Sequence, residues 1–176
     1  MAASDEVKII GLWPSPFVMR PRIALNLKSV AHHNFEEIIG NKSDVLLKSN
    51  PVYKKIFPSL SKIAKSWGRD EEALEQAKTA MELMEKAFRD CSKGNEFFNG
   101  DQIGYLDIAF GSNVGWIRTL ETMHGFTLIN DEKTPGLAGW AERFWAHEAV
   151  KDVNPSVEKL IEFSHEVFTK PPPSTT

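Results

Sequence analysis

The chain has 176 residues, of which 41% are hydrophobic and 26% charged, and this composition excludes a disordered or low-complexity protein. Its net charge of -3 offers no basic surface for nucleic acid or an anionic membrane. The single cysteine, Cys91, excludes a disulfide framework and a cysteine-based metal site, and we expect it to pack in the core. The first eight residues lack the apolar stretch of a signal peptide or membrane span, which predicts a cytoplasmic protein. We expect no metal site.

The N-terminal part of the sequence predicts a strand, a helix and a second strand. Val7–Leu12 is a short apolar run that indicates a buried strand, and Trp13–Pro16 ends it. Apolar residues at helical spacing predict a helix over Phe17–Lys28, with Pro21 in or near its first turn. The next strand is expected over His33–Ile39, parallel to the first because crossover connections are right-handed.

Beyond Pro58 the apolar pattern is helical only. We expect Asp70 to cap a long amphipathic helix that Gly94 ends. Shorter elements are predicted on either side of this region: a helical turn over Ser43–Leu47 and helices over Pro135–His147 and Pro155–Phe168.

One helix is predicted to lie at the centre of the bundle. Tyr105–Thr122 is apolar nearly all round, which is typical of a helix buried on every side. Asp107 follows Gly104 by three residues and approximates a capping box at its start.

The change of pattern near residue 57 divides an α/β start from an all-α remainder. Two strands are too few for an independent sheet domain. The sequence therefore predicts an incomplete sheet-containing part over residues 1–56, a helical domain over 57–170 and a disordered tail over 171–176.

Short motifs of one known family stand in order along nearly the whole chain. They are Trp13–Arg20, Arg22–Leu25, Asn41–Ser43, Ser49–Ile56, Phe97–Asp101, Gly104–Ala109, Thr134–Leu137 and Trp140–Arg143. Through them the chain resembles the plant tau-class glutathione transferases. The resemblance implies a truncated thioredoxin-like part, which binds glutathione in the family, followed by an all-helical C-terminal domain.

The resemblance also implies that an internal block is missing. In the family a cis-proline, two antiparallel strands, a Glu-Ser dipeptide and a linker follow the position of Ile56, whereas this chain continues with Phe57. At typical element lengths the block amounts to roughly fifty residues. Phe57–Leu60 resembles the middle of the family's first helical-domain helix, and a displaced copy of the cis-proline loop is the alternative.

By the resemblance, Ser15 is the catalytic residue, whose hydroxyl stabilises the thiolate of glutathione beside a helix N-terminus. One hydrogen bond to a charged group lowers the thiol pKa by roughly one to two units. The residues alone also allow purely structural interpretations: Ser15 as a turn residue, the two lysines as solvated side chains, and the aromatic residues as part of the core. The other positions implied by the resemblance are Lys42, Lys55 and Ile56 for glutathione, and Phe17, Trp116 and Ile117 for the electrophile pocket.

The implied function is conjugation of reduced glutathione, as co-substrate, to electrophilic xenobiotics or lipid-peroxide products in detoxification and stress response. The family resemblance also implies a dimer of identical or related subunits. Because the Glu-Ser pair is absent, we expect glutathione affinity to fall by roughly a hundred-fold to ten-thousand-fold. The missing strands would also leave an edge of Val7–Leu12 unpaired, which predicts aggregation, assisted folding or rearrangement. The alternative is a non-catalytic variant that binds hydrophobic ligands or pairs with related subunits.

Overall fold

The described chain begins with a small parallel sheet and one helix and continues as a helical bundle. The computed structural model describes residues 7–36 and 53–168, so Lys42, the predicted turn over Ser43–Leu47 and the predicted tail over 171–176 lie outside it. In chain order the elements are β1 (Val7–Gly11), α1 (Pro16–Leu27), β2 (His32–Glu36), α2 (Tyr53–Lys65), α3 (Glu71–Ser92), α4 (Tyr105–Gly111), α5 (Val114–His124), α6 (Pro135–Ala146), α7 (Glu148–Lys151) and α8 (Val157–Val167).

The two strands pair in parallel, as the crossover rule predicts. Val7 lies opposite His32, and Gly11 lies opposite Glu36. Helix α1 packs closely on the end of β1, since a Cβ atom at Gly11 would stand 2.4 Å from a methyl group of Val18. Within residues 7–36 and 53–168, β1 pairs with β2 alone, so its second edge has no strand partner.

Helix α2 runs without interruption across the predicted junction. Ile56, Leu60 and Ile63 are buried at helical spacing along one face, and Pro58 lies inside the helix. Phe57–Leu60 is helical, which confirms the helical prediction. The alternative, a displaced cis-proline loop, is wrong, since the described residues contain no cis peptide bond. The boundary expected between Ile56 and Phe57 falls within the helix and stays a prediction.

Helix α3 begins as predicted but ends differently. Asp70 accepts a hydrogen bond from the backbone N–H of Ala73 at 2.9 Å, which confirms the N-cap. The helix ends at Ser92 rather than at Gly94, and Lys93 and Gly94 follow it with positive φ angles of 52° and 91°. The prediction that Cys91 packs in the core is wrong, because Ser92 continues the buried face and leaves the cysteine exposed.

The predicted central helix is divided into α4 and α5. Asn113 donates side-chain hydrogen bonds to the carbonyls of Ala109 at 3.1 Å and Phe110 at 3.3 Å. Ser112 also donates to the Ala109 carbonyl, at 3.3 Å. Such side chains compete with the backbone pattern of a helix. The expectation of one continuous helix over Tyr105–Thr122 is therefore wrong.

Asp107 lies at the centre of the helical part and is fully buried. One carboxylate oxygen accepts from the Gly104 N–H at 2.9 Å, which confirms the predicted capping contact. The other oxygen accepts from the Phe98 N–H at 2.9 Å and from the indole N–H of Trp140 at 2.7 Å. This carboxylate thus connects the loop before α4, the first turn of α4 and helix α6.

A second buried carboxylate fixes the start of α6. Glu85 accepts from the backbone N–H groups of Gly136 at 3.1 Å and Leu137 at 2.8 Å. Arg89 on the same helix donates to this carboxylate at 2.9 Å. These contacts hold α3 against α6. Helix α6 begins at Pro135, as predicted. The short helix α7 was not predicted.

We expect Asp107→Ala to lower the free energy of unfolding by about 3–5 kcal/mol, because three buried donors lose their acceptor. Urea denaturation followed by circular dichroism measures the change. Asp101→Ala is the control, since Asp101 is an exposed acid in the same loop region and its removal should cost about 0.5 kcal/mol or less. Equal effects of the two substitutions would contradict the role given to Asp107.

Candidate active site

Ser15 occupies the turn between β1 and α1, at the N-cap position of the helix. Its backbone N–H donates to the Leu12 carbonyl at 3.0 Å, and its carbonyl accepts from Val18 at 2.9 Å and Met19 at 3.1 Å. Within the described residues its hydroxyl makes no capping hydrogen bond. The residue is half-buried, so its side chain can meet a ligand where the helix dipole favours an anion.

Aromatic rings on four helices make contacts next to this turn. Phe17 on α1 lies edge-on to Phe57 on α2, with ring centroids 5.7 Å apart. The ring centroid of Phe163 on α8 lies 5.5 Å from that of Trp13 and 6.2 Å from that of Trp116 on α5. The turn that carries Ser15 is therefore flanked by apolar surface.

The structure brings together only some of the residues that the sequence singled out. Ser15, Phe17 and Trp116 lie around the turn. Ile117 and Ile56 are buried members of the core. Lys55 lies in the first turn of α2, where only its backbone is described.

Arg20 joins α1 to the helical part, a role that its local sequence does not specify. Its Nε donates to the Ser112 hydroxyl at 3.0 Å, and a terminal nitrogen donates to the Ala109 carbonyl at 2.8 Å. The guanidinium also lies 5.0 Å from the centre of the Phe17 ring. The two arginines at positions 20 and 22 of a mostly apolar helix were the sequence feature that could have indicated such a contact.

A second arginine on α1 has a different environment. The Nε of Arg22 is buried without a hydrogen-bond partner in the described residues, and burial lowers the pKa of this guanidinium. Arg22 therefore provides a natural comparison for Arg20.

Two surface clefts lie away from Ser15. One, of about 380 Å³, lies between α5 and α6, and Arg118 and Glu142 form an ion pair at its side. The other, of about 580 Å³, lies between the end of α1 and α7. In residues 7–36 and 53–168 no three histidine, cysteine, aspartate or glutamate side chains are grouped as metal ligands. No helix in the same residues is long and apolar enough to cross a membrane.

Comparison with known proteins identifies the family. Residues 54–143 match the family described as "Glutathione S-transferase, C-terminal domain". Glutathione S-transferase U17 of Arabidopsis thaliana is 39% identical, in an alignment that covers 96% of this chain and 99% of that protein. The chain belongs to the glutathione S-transferase family. This transferase is similar to the solved tau-class enzyme of mango, Mangifera indica, with a TM-score of 0.81, 38% identity and coverage of 94% and 100% of the two chains.

These relatives place the transferase in the tau class, and its fold is a truncated thioredoxin-like part followed by the helical C-terminal domain. A rice transferase solved in complex with glutathione shares the fold, with a TM-score of 0.78 at 23% identity. Glutathione is the co-substrate of the family. The alignment with the Arabidopsis protein spans 224 positions, whereas this chain has 176 residues. At least 48 of the aligned positions therefore hold residues of the relative alone.

We expect Arg20→Met to speed hydrogen exchange of the α1 amides by about ten- to hundredfold, because two hydrogen bonds from a charged donor are lost. Exchange measured by mass spectrometry on the peptide covering α1 tests this. Arg22→Met should leave the exchange unchanged or slow it, since it removes a buried nitrogen that lacks a partner. The same acceleration in both variants would show that Arg20 does not anchor α1.

Proposed function

We propose that this transferase adds the thiol of glutathione to hydrophobic electrophiles, and that Ser15 is its catalytic residue. The observation that carries the proposal is the half-buried Ser15 at the N-cap of α1, whose hydroxyl makes no capping hydrogen bond within the described residues. A serine at this position of the family motif, next to the positive end of a helix, suits an anionic sulfur.

The chemistry requires a thiolate rather than a thiol. A free thiol has a pKa near ~8.5 and is mostly protonated at neutral pH. The Ser15 hydroxyl donates a hydrogen bond to the thiolate, and the displaced proton leaves to solvent. The sulfur then attacks the electrophilic carbon and forms the thioether: in a substitution the leaving group departs with its electron pair, and in an addition the anion formed on the electrophile takes a proton from solvent. No general base is needed if the thiol pKa falls by roughly one to two units.

The electrophile side of the site is proposed to be aromatic. Phe17 and Trp116 provide apolar surface next to Ser15, and Phe57 adds a ring against Phe17. Ile117 supports this wall from the core. Such a surface favours large, weakly polar substrates such as xenobiotics and lipid-peroxide products.

The glutathione side is proposed to be incomplete. We place the missing block between Ile56 and Phe57, and the surplus of alignment positions held by the relative alone supports an internal loss of this size. Lys42, Lys55 and Ile56 are the remaining candidates for glutathione contacts in this chain. Without the Glu-Ser pair for the γ-glutamyl end, glutathione binds weakly.

Among residues 7–36 and 53–168, one edge of β1 has no strand partner, and this edge bears on the partners of the chain. We propose a cytoplasmic protein that pairs with an identical or related subunit, as the family does. A soluble monomer with one cooperative thermal transition would contradict this part of the proposal.

A second candidate function is the binding of hydrophobic ligands without catalysis. The surplus of at least 48 positions in the relative favours it, because loss of the glutathione contacts would leave the aromatic surface intact. Binding of an apolar fluorescent dye in the absence of conjugation would support this candidate.

We expect Ser15→Ala to lower kcat for conjugation of a chromogenic electrophile by about ten- to hundredfold at pH 7, because the thiol pKa rises when the hydrogen bond is lost. Initial rates at saturating electrophile, with glutathione varied, measure the effect. Ser15→Thr is the matched variant, since it keeps a hydroxyl and should retain more activity than the alanine variant. Equal rates for wild type and Ser15→Ala would exclude Ser15 as the catalytic residue.

A further inference from the structure

An indole of the helical part donates a hydrogen bond to the turn that carries Ser15. The Nε1–H of Trp116 donates to the carbonyl of Pro14 at 2.8 Å, between residues 102 positions apart in the chain. Pro14 is buried and Trp116 is half-buried, so water competes little for this bond. A residue that family resemblance assigns to a pocket wall thus also makes a directed polar contact.

The carbonyl of Pro14 belongs to the same peptide plane as the N–H of Ser15. That N–H donates to Leu12 at 3.0 Å, and the proline ring restricts the backbone on the other side. With both ends of the peptide unit held, the backbone at Ser15 keeps its φ of -78° and ψ of 121°. The hydroxyl then has only its own χ1 rotation left.

The indole of Trp116 is itself held in place by α8. Phe163 lies edge-on to it at 6.2 Å. Helix α8 approaches α5 closely, since a Cβ atom at Gly115 would stand 3.2 Å from a methyl group of Leu160. The donor therefore comes from a packed part of the bundle rather than from a mobile loop.

We propose that Trp116 is a positioning residue, whose indole N–H fixes the Pro14–Ser15 peptide and thereby directs the Ser15 hydroxyl toward the sulfur of glutathione. The catalytic part of this inference rests on the function proposed for Ser15. Fixation of the turn does not depend on that function and can be measured without glutathione.

Trp116→Phe tests the proposal, because phenylalanine keeps an aromatic ring but has no N–H. Trp13→Phe is the matched control: Trp13 packs on the same Phe163, and its indole N–H donates no hydrogen bond in the described residues. We expect exchange of the Ser15 amide, followed by NMR, to rise about two- to tenfold in Trp116→Phe and to stay unchanged in Trp13→Phe. Equal exchange in the wild type and Trp116→Phe overturns the proposal.

The wild-type protein supplies a measurement that needs no substitution. The indole N–H of Trp116 should exchange more slowly than that of Trp13, and equal rates would also overturn the proposal. This comparison decides the question if Trp116→Phe does not fold.

The pH dependence of conjugation tests the link to catalysis. In Trp116→Phe we expect the acidic limb of the kcat/KM profile to move up by about 0.5–1 pH unit, with little change in KM for the electrophile. If the acidic limb of the profile is unchanged in Trp116→Phe, the positioning role proposed for Trp116 is overturned. If the wild type does not conjugate glutathione, the proposed function fails, and the exchange measurements alone decide whether Trp116 fixes the turn.

Discussion

The arrangement of the described chain depends on the buried carboxylate of Asp107. It accepts three hydrogen bonds and so fixes the direction of α4 relative to α6. The far end of α4 presents the Ala109 carbonyl and the Ser112 hydroxyl, which hold Arg20 of α1. Helix α1 in turn has Ser15 as its N-cap residue. A carboxylate that lies outside the candidate site thus helps to determine where the residues of the site are placed.

The two parts of the chain meet through polar contacts set among aromatic rings. Arg20 and the indole of Trp116 reach across from opposite sides, and Asn26 donates to the Ala149 carbonyl at 3.1 Å near the other end of α1. Hydrogen bonds of this kind define one orientation, whereas apolar packing alone tolerates several. An N-terminal part whose described residues form two strands depends on such directed contacts more than a larger sheet does.

Local patterns predicted much of this architecture from the sequence. The strand at Val7, the cap at Asp70 and the contact between Gly104 and Asp107 are encoded within a few residues of one another. The division between α4 and α5 was missed because the apolar pattern continues through it, although side chains such as Asn113 favour a break.

The contacts made by Trp116 and Trp140 could not be predicted, because nothing local to an indole identifies a partner 102 or 33 residues away. The same two indoles have a consequence for spectroscopy. Trp140 is stacked on Phe110 at 5.0 Å and Phe144 at 5.4 Å in a rigid, asymmetric core, whereas Trp116 is half-buried where the two parts meet. The contribution of Trp140 to the near-ultraviolet circular dichroism therefore reports on the packed core. The contribution of Trp116 to the emission spectrum responds instead to solvent entering beside α1, where the N-terminal part is attached.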